Sequence, residues 1–128
     1  MKCMSIEGAQ NTPKVLLCAS KGLIEISGRS APINSIEFYK PILKWVEEYA
    51  KKPKPQTSVN IYFYYFDTSS SRCFINVLQM LQIVHNINQG VDIKWYYHVD
   101  DEEMLESGYD FESIIRIPFR MIEVHHVS

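Results

Sequence analysis

The residues that decide the fold are SVNIYFYYFD at 58–67, followed without a break by TSSS at 68–71 and RCFINVLQML at 72–81. Apolar and aromatic side chains fill both alternating faces of residues 58–66, which is typical of a central strand covered on two sides. The residues after the hydroxyl run carry an apolar stripe at helical spacing, consisting of Phe74, Val77, Leu78, Leu81 and Val84. The stretch therefore predicts a buried strand that runs directly into a helix.

The junction between this strand and helix carries the main functional signal. Backbone N–H groups at a helix start point outward and favour negative charge. Thr68 is therefore open to three interpretations: a helix cap, a phosphate acceptor or a catalytic nucleophile. Residue type alone favours capping, although Asp67 to Ser70 hold more capping-type residues than one cap requires. No local base and no Gly-x-Ser-x-Gly elbow supports a nucleophile.

Length and composition bound the function classes. The 128 residues predict one domain, spanning 1–128, and the 46% hydrophobic and 22% charged content is ordinary for a soluble protein. A net charge of −2 gives no basic footprint for nucleic acid. No apolar run approaches the roughly 18–20 residues that span a bilayer, and the start lacks the apolar core of a secretory signal. We therefore expect a cytoplasmic protein without membrane insertion.

The three cysteines, Cys3, Cys18 and Cys73, are odd in number and lack metal-ligand spacing. They are interpreted as reduced thiols of a cytoplasmic protein. Cys73, one turn into the predicted helix, has two interpretations. A helix start can lower a thiol pKa and make it reactive, but a small apolar helix residue is the simpler interpretation.

The first third of the chain is predicted to be β. A short strand is possible at 5–9, and residues 14–20 and 23–27 flank Lys21-Gly22 as a hairpin. The second hairpin strand is expected to end at Gly28, and residues 28–34 read as a loop.

A helix is then predicted to begin at Asn34 or Ser35, with Glu37 at the capping-box spacing. Pro41 should kink this helix or mark a restart. Its apolar positions at helical spacing are Ile36, Tyr39, Ile42, Leu43, Val46 and Tyr49.

The last third predicts a strand at 91–99, a helix that opens at Asp100 to Glu103, and an edge strand at 117–124. Gly108 should shorten or break that helix, whose expected buried side chains are Met104, Leu105, Tyr109 and Phe111. The order β-β-β-α-β-α-β-α-β predicts an α/β fold. Its mixed sheet would start with an antiparallel hairpin, continue in βα units, and carry the helices packed on the sheet.

No cofactor or metal site is predicted. His98 near Asp100 and Asp101 is better explained as a strand-end histidine beside capping acids than as a metal ligand. His125 and His126 would point to opposite faces of a continuing strand. The sequence contains no phosphate-binding or dinucleotide glycine motif. Catalytic residues are therefore not assigned.

An apolar strand, Asp67-Thr-Ser-Ser70 and an amphipathic helix together resemble the phosphorylation site of STAS domains, the anti-sigma-factor-antagonist fold. The closer resemblance is to the SiaC-type biofilm regulatory phosphoproteins, which are small STAS-like proteins. The stretches that carry it are Gly8-Ala-Gln-Asn-Thr-Pro13, Asn34-Ser35, Trp45-Val46-Glu47, Asp67-Thr-Ser-Ser70, Lys94-Trp-Tyr-Tyr97 and Pro118-Phe119. Ser71-Arg72-Cys73 stands where antagonists often have Gly-Leu-Gly, which favours the SiaC-type branch.

The resemblance implies a non-enzymatic adaptor with Thr68 as the phosphorylation site, flanked by Asp67, Ser69 and Ser70. It implies a partner kinase of the histidine-kinase-like ATPase superfamily and a PPM-type phosphatase. The unmodified form would bind and activate a diguanylate cyclase. The partner face is expected around the helix start, at Ser71, Arg72 and Asn76.

Two other functions stay open at this point. One is a phosphorylatable STAS antagonist in a stress-sigma cascade. The other is a small-molecule-binding or enzymatic domain that uses Thr68 and nearby histidines.

Overall fold

The computed structural model describes residues 3–125 as a six-stranded sheet with three α-helices. The strands are β1 Met4–Ile6, β2 Lys14–Cys18, β3 Leu23–Ser30, β4 Thr57–Phe66, β5 Val91–His98 and β6 Phe119–Val124. The helices are α1 Ser35–Lys51, α2 Thr68–Asn88 and α3 Glu102–Glu112, and a short 3₁₀ turn, Ala19–Lys21, joins β2 to β3. His126 lies outside the described residues.

The strands lie in the sheet in their chain order. β1, β2 and β3 pair antiparallel, and β3, β4, β5 and β6 pair parallel. The predicted mixed α/β fold is confirmed. The parallel part places the carboxyl ends of β3, β4 and β5 at one edge of the sheet, here called the carboxyl edge. All three helices begin at this edge, because each follows one of these strands directly.

The helices cover one face of the sheet. In β4, Val59, Ile61 and Phe63 are at most 1% exposed, whereas the alternating Asn60 and Tyr62 stay partly exposed. The prediction that β4 is covered on two sides is therefore wrong. The aromatic residues on the second face of β4 suggested that a helix covers it. Tyr62 instead packs on Tyr96 of the neighbouring strand β5, with ring centroids 6.2 Å apart.

Two predicted helix breaks, a restart at Pro41 and a break at Gly108, are absent among the described residues, while a kink at Pro41 stays a prediction. α1 passes through the exposed Pro41 as one helix. α3 passes through Gly108, where a Cβ would lie 2.6 Å from Trp95 Cδ1. Gly108 is therefore a site of close helix–sheet approach, not a helix end. Two side chains predicted to be buried are instead exposed, Ile36 at 72% and Tyr109 at 53%.

β3 also continues past its expected end. It reaches Ser30 through a register shift between Gly28 and Arg29, with Gly28 at φ 119°. Glycine adopts this backbone conformation readily because it has no Cβ. The extension brings Ser30 to the carboxyl edge beside Phe66 at the end of β4.

The prediction of three reduced thiols is wrong for two of them. A disulfide joins Cys3 and Cys18. The register that pairs Met4 of β1 with Leu17 of β2 places Cys3, immediately before β1, opposite Cys18 of β2. A separation of 15 residues does not reveal this proximity. Cys73 is free and buried. Across residues 3–125, none of the helices has the length and apolarity to cross a membrane.

Candidate functional site

The start of α2 is held by its cap. Asp67 is the N-cap, and its Oδ1 accepts a hydrogen bond from the Ser70 N–H at 2.8 Å. The Asp67 carbonyl accepts from the Ser71 N–H at 3.0 Å, and the Asp67 N–H donates to the Ser30 carbonyl at 3.0 Å. Asp67, and not Thr68, is therefore the residue that caps α2. The Thr68 hydroxyl has no role in this cap.

Beneath this first turn lies a relay of buried hydroxyl groups. Ser30 Oγ lies 2.7 Å from the Tyr39 hydroxyl and donates to Ser70 Oγ at 2.8 Å. Ser70 Oγ in turn donates to the Ser30 carbonyl at 2.9 Å. With Tyr39 as the first donor, every hydroxyl proton has an acceptor. The relay connects α1, β3 and α2, so Ser70 is part of the structure beneath the candidate switch.

Tyr39 is deeply placed in this relay. Burial raises the pKa of its hydroxyl to about 12, and the Cys73 thiol and Asp67 carboxylate act in the same direction. Hydrogen bonding with the Ser30 and Ser70 side chains opposes the shift of the Tyr39 pKa. The relay is therefore neutral at physiological pH, and its proton stays in place.

The opposite side of the same turns faces solvent. Thr68 and Ser69 are exposed, as are Arg72 and Asn76, while Ser71 is partly buried. Within residues 3–125, the Thr68 hydroxyl forms no hydrogen bond with another residue. Of the predicted hydroxyl cluster, Ser70 is 1% exposed and is withdrawn from the surface. Thr68 therefore combines an accessible hydroxyl with a position at a capped helix start.

Exposed apolar side chains also occur in the segments that end or begin at the carboxyl edge. Ile33 and Ile36, immediately before and within the first turn of α1, are 108% and 72% exposed. Tyr64 and Tyr65, at the end of β4, are 59% and 44% exposed. All four belong to segments that meet at the carboxyl edge. Exposed apolar side chains at one edge of the sheet make that edge a candidate protein–protein contact surface.

Arg29 adds a cation to the same edge. Its Cζ lies 4.3 Å from the Tyr65 ring centroid, and its Nε donates to Asn11 Oδ1 at 3.3 Å. Sequence reasoning missed Arg29 and the four apolar side chains. Ile36 matched the helical period and Tyr65 matched the alternation of the core face, so both were expected inside. Only Ile33, an isoleucine in a loop, carried a signal that could have been used.

Among the described residues, the histidines that could serve a catalytic Thr68 as a base have local partners of their own. His98 Nδ1 accepts a hydrogen bond from the Asp100 N–H at 3.1 Å, and His85 Nδ1 accepts from the Val91 N–H at 3.2 Å. His125 pairs with Glu123 after β6 has ended. These histidines serve local structure. In the part of the chain that the structure describes, no group of His, Cys, Asp or Glu is arranged to hold a metal ion.

The reactive-thiol alternative for Cys73 is also contradicted. The side chain is 7% exposed. Burial raises the pKa of its thiol, and the nearby Asp67 carboxylate raises it further. A buried thiol that stays protonated is a poor nucleophile. Cys73 is therefore a small apolar residue of the core-facing side of α2.

Comparisons with known proteins show which family the chain resembles. A sequence profile described as the SiaC family of regulatory phosphoproteins matches residues 6–124. An uncharacterised protein of Pseudomonas aeruginosa strain UCBPP-PA14 is 26% identical over 125 residues, covering 98% of both chains.

Solved structures show the same architecture. Apo-SiaC of Pseudomonas aeruginosa superposes with a TM-score of 0.86 at 25% identity, covering 95% of this chain and 99% of the other. A chain in the crystal structure of the diguanylate cyclase SiaD with its activator SiaC, also from Pseudomonas aeruginosa, gives a TM-score of 0.88 at 25% identity. That match covers 94% of this chain and 99% of the other. The predicted family resemblance is confirmed.

Proposed function

Because the chain belongs to the SiaC family of regulatory phosphoproteins, we propose that it is a single-domain, cytoplasmic, non-enzymatic adaptor. Its unmodified form binds and activates a diguanylate cyclase, and so acts in cyclic-di-GMP and biofilm signalling. The structural relative found in complex with a diguanylate cyclase as its activator supports this partner class. The observation that carries the proposal is the exposed, uncommitted hydroxyl of Thr68 beside the buried, fully bonded hydroxyl of Ser70.

Thr68 is the phosphorylation site in this proposal. A kinase of the histidine-kinase-like ATPase superfamily brings ATP. Thr68 Oγ forms a bond to the γ-phosphorus, the bond to the ADP oxygen breaks, and the hydroxyl proton passes to a base of the kinase. A PPM-type phosphatase reverses the modification by hydrolysis and releases inorganic phosphate. Exposure of Thr68 meets the requirement of both enzymes for access.

Charge is the physical basis of the switch. A phosphate adds about −1.5 to −2 charges and three acceptor oxygens. The positive end of the α2 dipole tolerates this anion, and the Asp67 cap and the buried relay stay in place beneath it. A partner that fits the neutral hydroxyl must instead desolvate an anion beside the Asp67 carboxylate. Phosphorylation can thus release the partner without unfolding the adaptor.

The docking face consists of polar and apolar contributions. Ser71, Arg72 and Asn76 supply the polar part on α2. The exposed apolar side chains of the carboxyl edge supply the area that stable binding needs, and they are Ile33, Ile36, Tyr64 and Tyr65. Thr68 is the first residue of α2 and is exposed at the same edge of the sheet, so a charge on its hydroxyl falls within the proposed docking face.

The test is calorimetric titration of the host's diguanylate cyclase with Thr68→Ala, Thr68→Glu and the neutral, equally long Thr68→Gln. Thr68→Ala should bind like the unmodified wild type. Thr68→Glu should bind at least about tenfold more weakly than Thr68→Gln, which corresponds to about 1.4 kcal/mol, while all three melt cooperatively. Equal binding by Thr68→Glu and Thr68→Gln would remove charge as the cause. Phosphopeptide mapping from host cells should find Thr68 modified, and predominant modification of Ser69 or Ser71 would contradict the site.

A further inference from the structure

Arg72 is an exposed cation that differs from two other arginines of the chain in its side-chain contacts. Arg29 lies over the Tyr65 ring and contacts Asn11, and Arg120 pairs with both carboxylate oxygens of Asp92. Arg72, in contrast, forms no side-chain hydrogen bond or ion pair within residues 3–125. An exposed guanidinium close to a candidate phosphorylation site can bind the phosphate group when the site is modified.

The helix places Arg72 on the same side as Thr68. The two residues are four positions apart on α2, so they are neighbours on its surface. The order also matters, since an anion on the amino-terminal side of a cation at this spacing is the more favourable arrangement. A guanidinium can donate two parallel hydrogen bonds to phosphate oxygens.

The Asp67 carboxylate does not pair with Arg72 in the unmodified protein. Asp67 Oδ1 accepts from the Ser70 N–H at 2.8 Å, so this carboxylate is turned toward the helix end. A phosphate on Thr68 starts from the exposed side of the helix, one turn before Arg72. The phosphate and the guanidinium therefore face the same solvent-exposed strip of α2.

We propose that the phosphate on Thr68 binds the Arg72 guanidinium and so withdraws this cation from the docking face. This inference rests on Thr68 being the phosphorylation site, as proposed above. Phosphorylation then acts twice: it adds an anion where the partner docks, and it occupies a cation that the partner uses. The unmodified adaptor presents Arg72 freely, and dephosphorylation restores it.

The test places phosphothreonine at position 68 during translation, so that no kinase is required. The second pKa of the phosphate is measured by ³¹P NMR titration in wild type, Arg72→Gln, Arg72→Lys and Arg29→Gln. A bound guanidinium favours the dianion, so the phosphate pKa should lie about half a unit lower in wild type than in Arg72→Gln. Arg72→Lys should recover part of the difference, and Arg29→Gln should match wild type. Equal values in wild type and Arg72→Gln, or a rise only in Arg29→Gln, would overturn the proposal.

A binding cycle separates this inference from the proposed function. The affinity for the cyclase is measured with and without the phosphate, in wild type and in Arg72→Gln. Arg72→Gln should weaken the unmodified protein severalfold and should reduce the fold-change caused by the phosphate. A full, unchanged phosphate effect in Arg72→Gln contradicts the ion-pair mechanism but leaves the phospho-switch standing. Absence of any phosphate effect in wild type contradicts the proposed function, while the ³¹P titration still reports the ion pair.

Discussion

The first turns of α2 have two sides that differ in almost every physical respect. On one side, Ser70, Cys73 and Phe74 are at most 7% exposed and are packed or hydrogen-bonded. On the other, Thr68 and Arg72 are exposed, and their side chains form no hydrogen bond with another of the described residues. The comparison indicates that one side of α2 stabilises the fold and that the opposite side is available for regulation. A charge can therefore be added to the exposed side without disturbing what holds the helix in place.

The buried side should show the largest effect on stability. Phe74 is 1% exposed and lies among aromatic rings, with centroid distances of 5.1 Å to Phe111 and 5.3 Å to Phe63. Phe74→Ala would leave a cavity and should lower the free energy of unfolding by about 3–5 kcal/mol. The measurement is urea denaturation followed by circular dichroism.

Asn76→Ala is the matched control for Phe74→Ala, because it truncates an exposed side chain two residues further along α2. Its free energy of unfolding should stay within about 0.5 kcal/mol of wild type. If the two variants lost similar stability, the separation between the two sides would not hold.

Replacing Ser70 or Ser69 by alanine makes the same chemical change on the buried and on the exposed side of α2, and we expect an intermediate effect on stability. Ser70→Ala removes the donor to the Ser30 carbonyl and the acceptor for Ser30 Oγ. Ser30 Oγ then loses its acceptor, and the Ser30 carbonyl keeps only the Asp67 N–H. The loss of these two buried hydrogen bonds should lower the free energy of unfolding by about 1–3 kcal/mol.

Ser69→Ala removes an exposed hydroxyl from the adjacent position and should change the free energy of unfolding by less than about 0.5 kcal/mol. Thermal melts of both variants, run side by side, measure the contrast. A Ser69→Ala protein that melts as early as Ser70→Ala would show that the exposed side also carries stability.

The sequence predicted the order of elements and the two-sidedness of α2, because these depend on local periodicity. The apolar stripe at Phe74 and Val77 predicted the buried side, and the cap at Asn34 was confirmed by its hydrogen bond from the Glu37 N–H. The run of hydroxyl residues located the candidate site at the carboxyl edge.

What the sequence could not predict depends on long-range pairing. Ser70 is distinguished from Ser69 only by its contact with Ser30, 40 residues earlier in the chain. The Cys3–Cys18 disulfide depends on the register of β1 against β2. Ile36 has the spacing of a core residue, yet it lies at the carboxyl edge, where none of the described helices or strands covers it. Local patterns identify faces of helices and strands, but they do not show where the neighbouring elements end.

The smallest expected effect is a decrease in the free energy of unfolding at alkaline pH, which originates from Tyr39 beneath the buried side of α2. Burial raises the pKa of Tyr39 from 10.0 to about 12, so the folded protein holds this proton more tightly than the unfolded chain. The stability due to the neutral hydroxyl is therefore complete below pH 10 and is lost as the pH rises toward 12. Between pH 9 and pH 11 the loss of stability should be about 1 kcal/mol.

The variant Tyr39→Phe lacks this ionisable hydroxyl. It should be less stable than wild type at pH 7 because Ser30 Oγ loses a partner, but the gap should narrow by about 1 kcal/mol at pH 11. Urea denaturation at both pH values measures the gap, with Tyr109→Phe as the control for loss of an exposed tyrosine hydroxyl. A constant gap across this range would mean that the relay beneath Thr68 is open to water, and the contrast between the two sides of α2 would then be one of position alone.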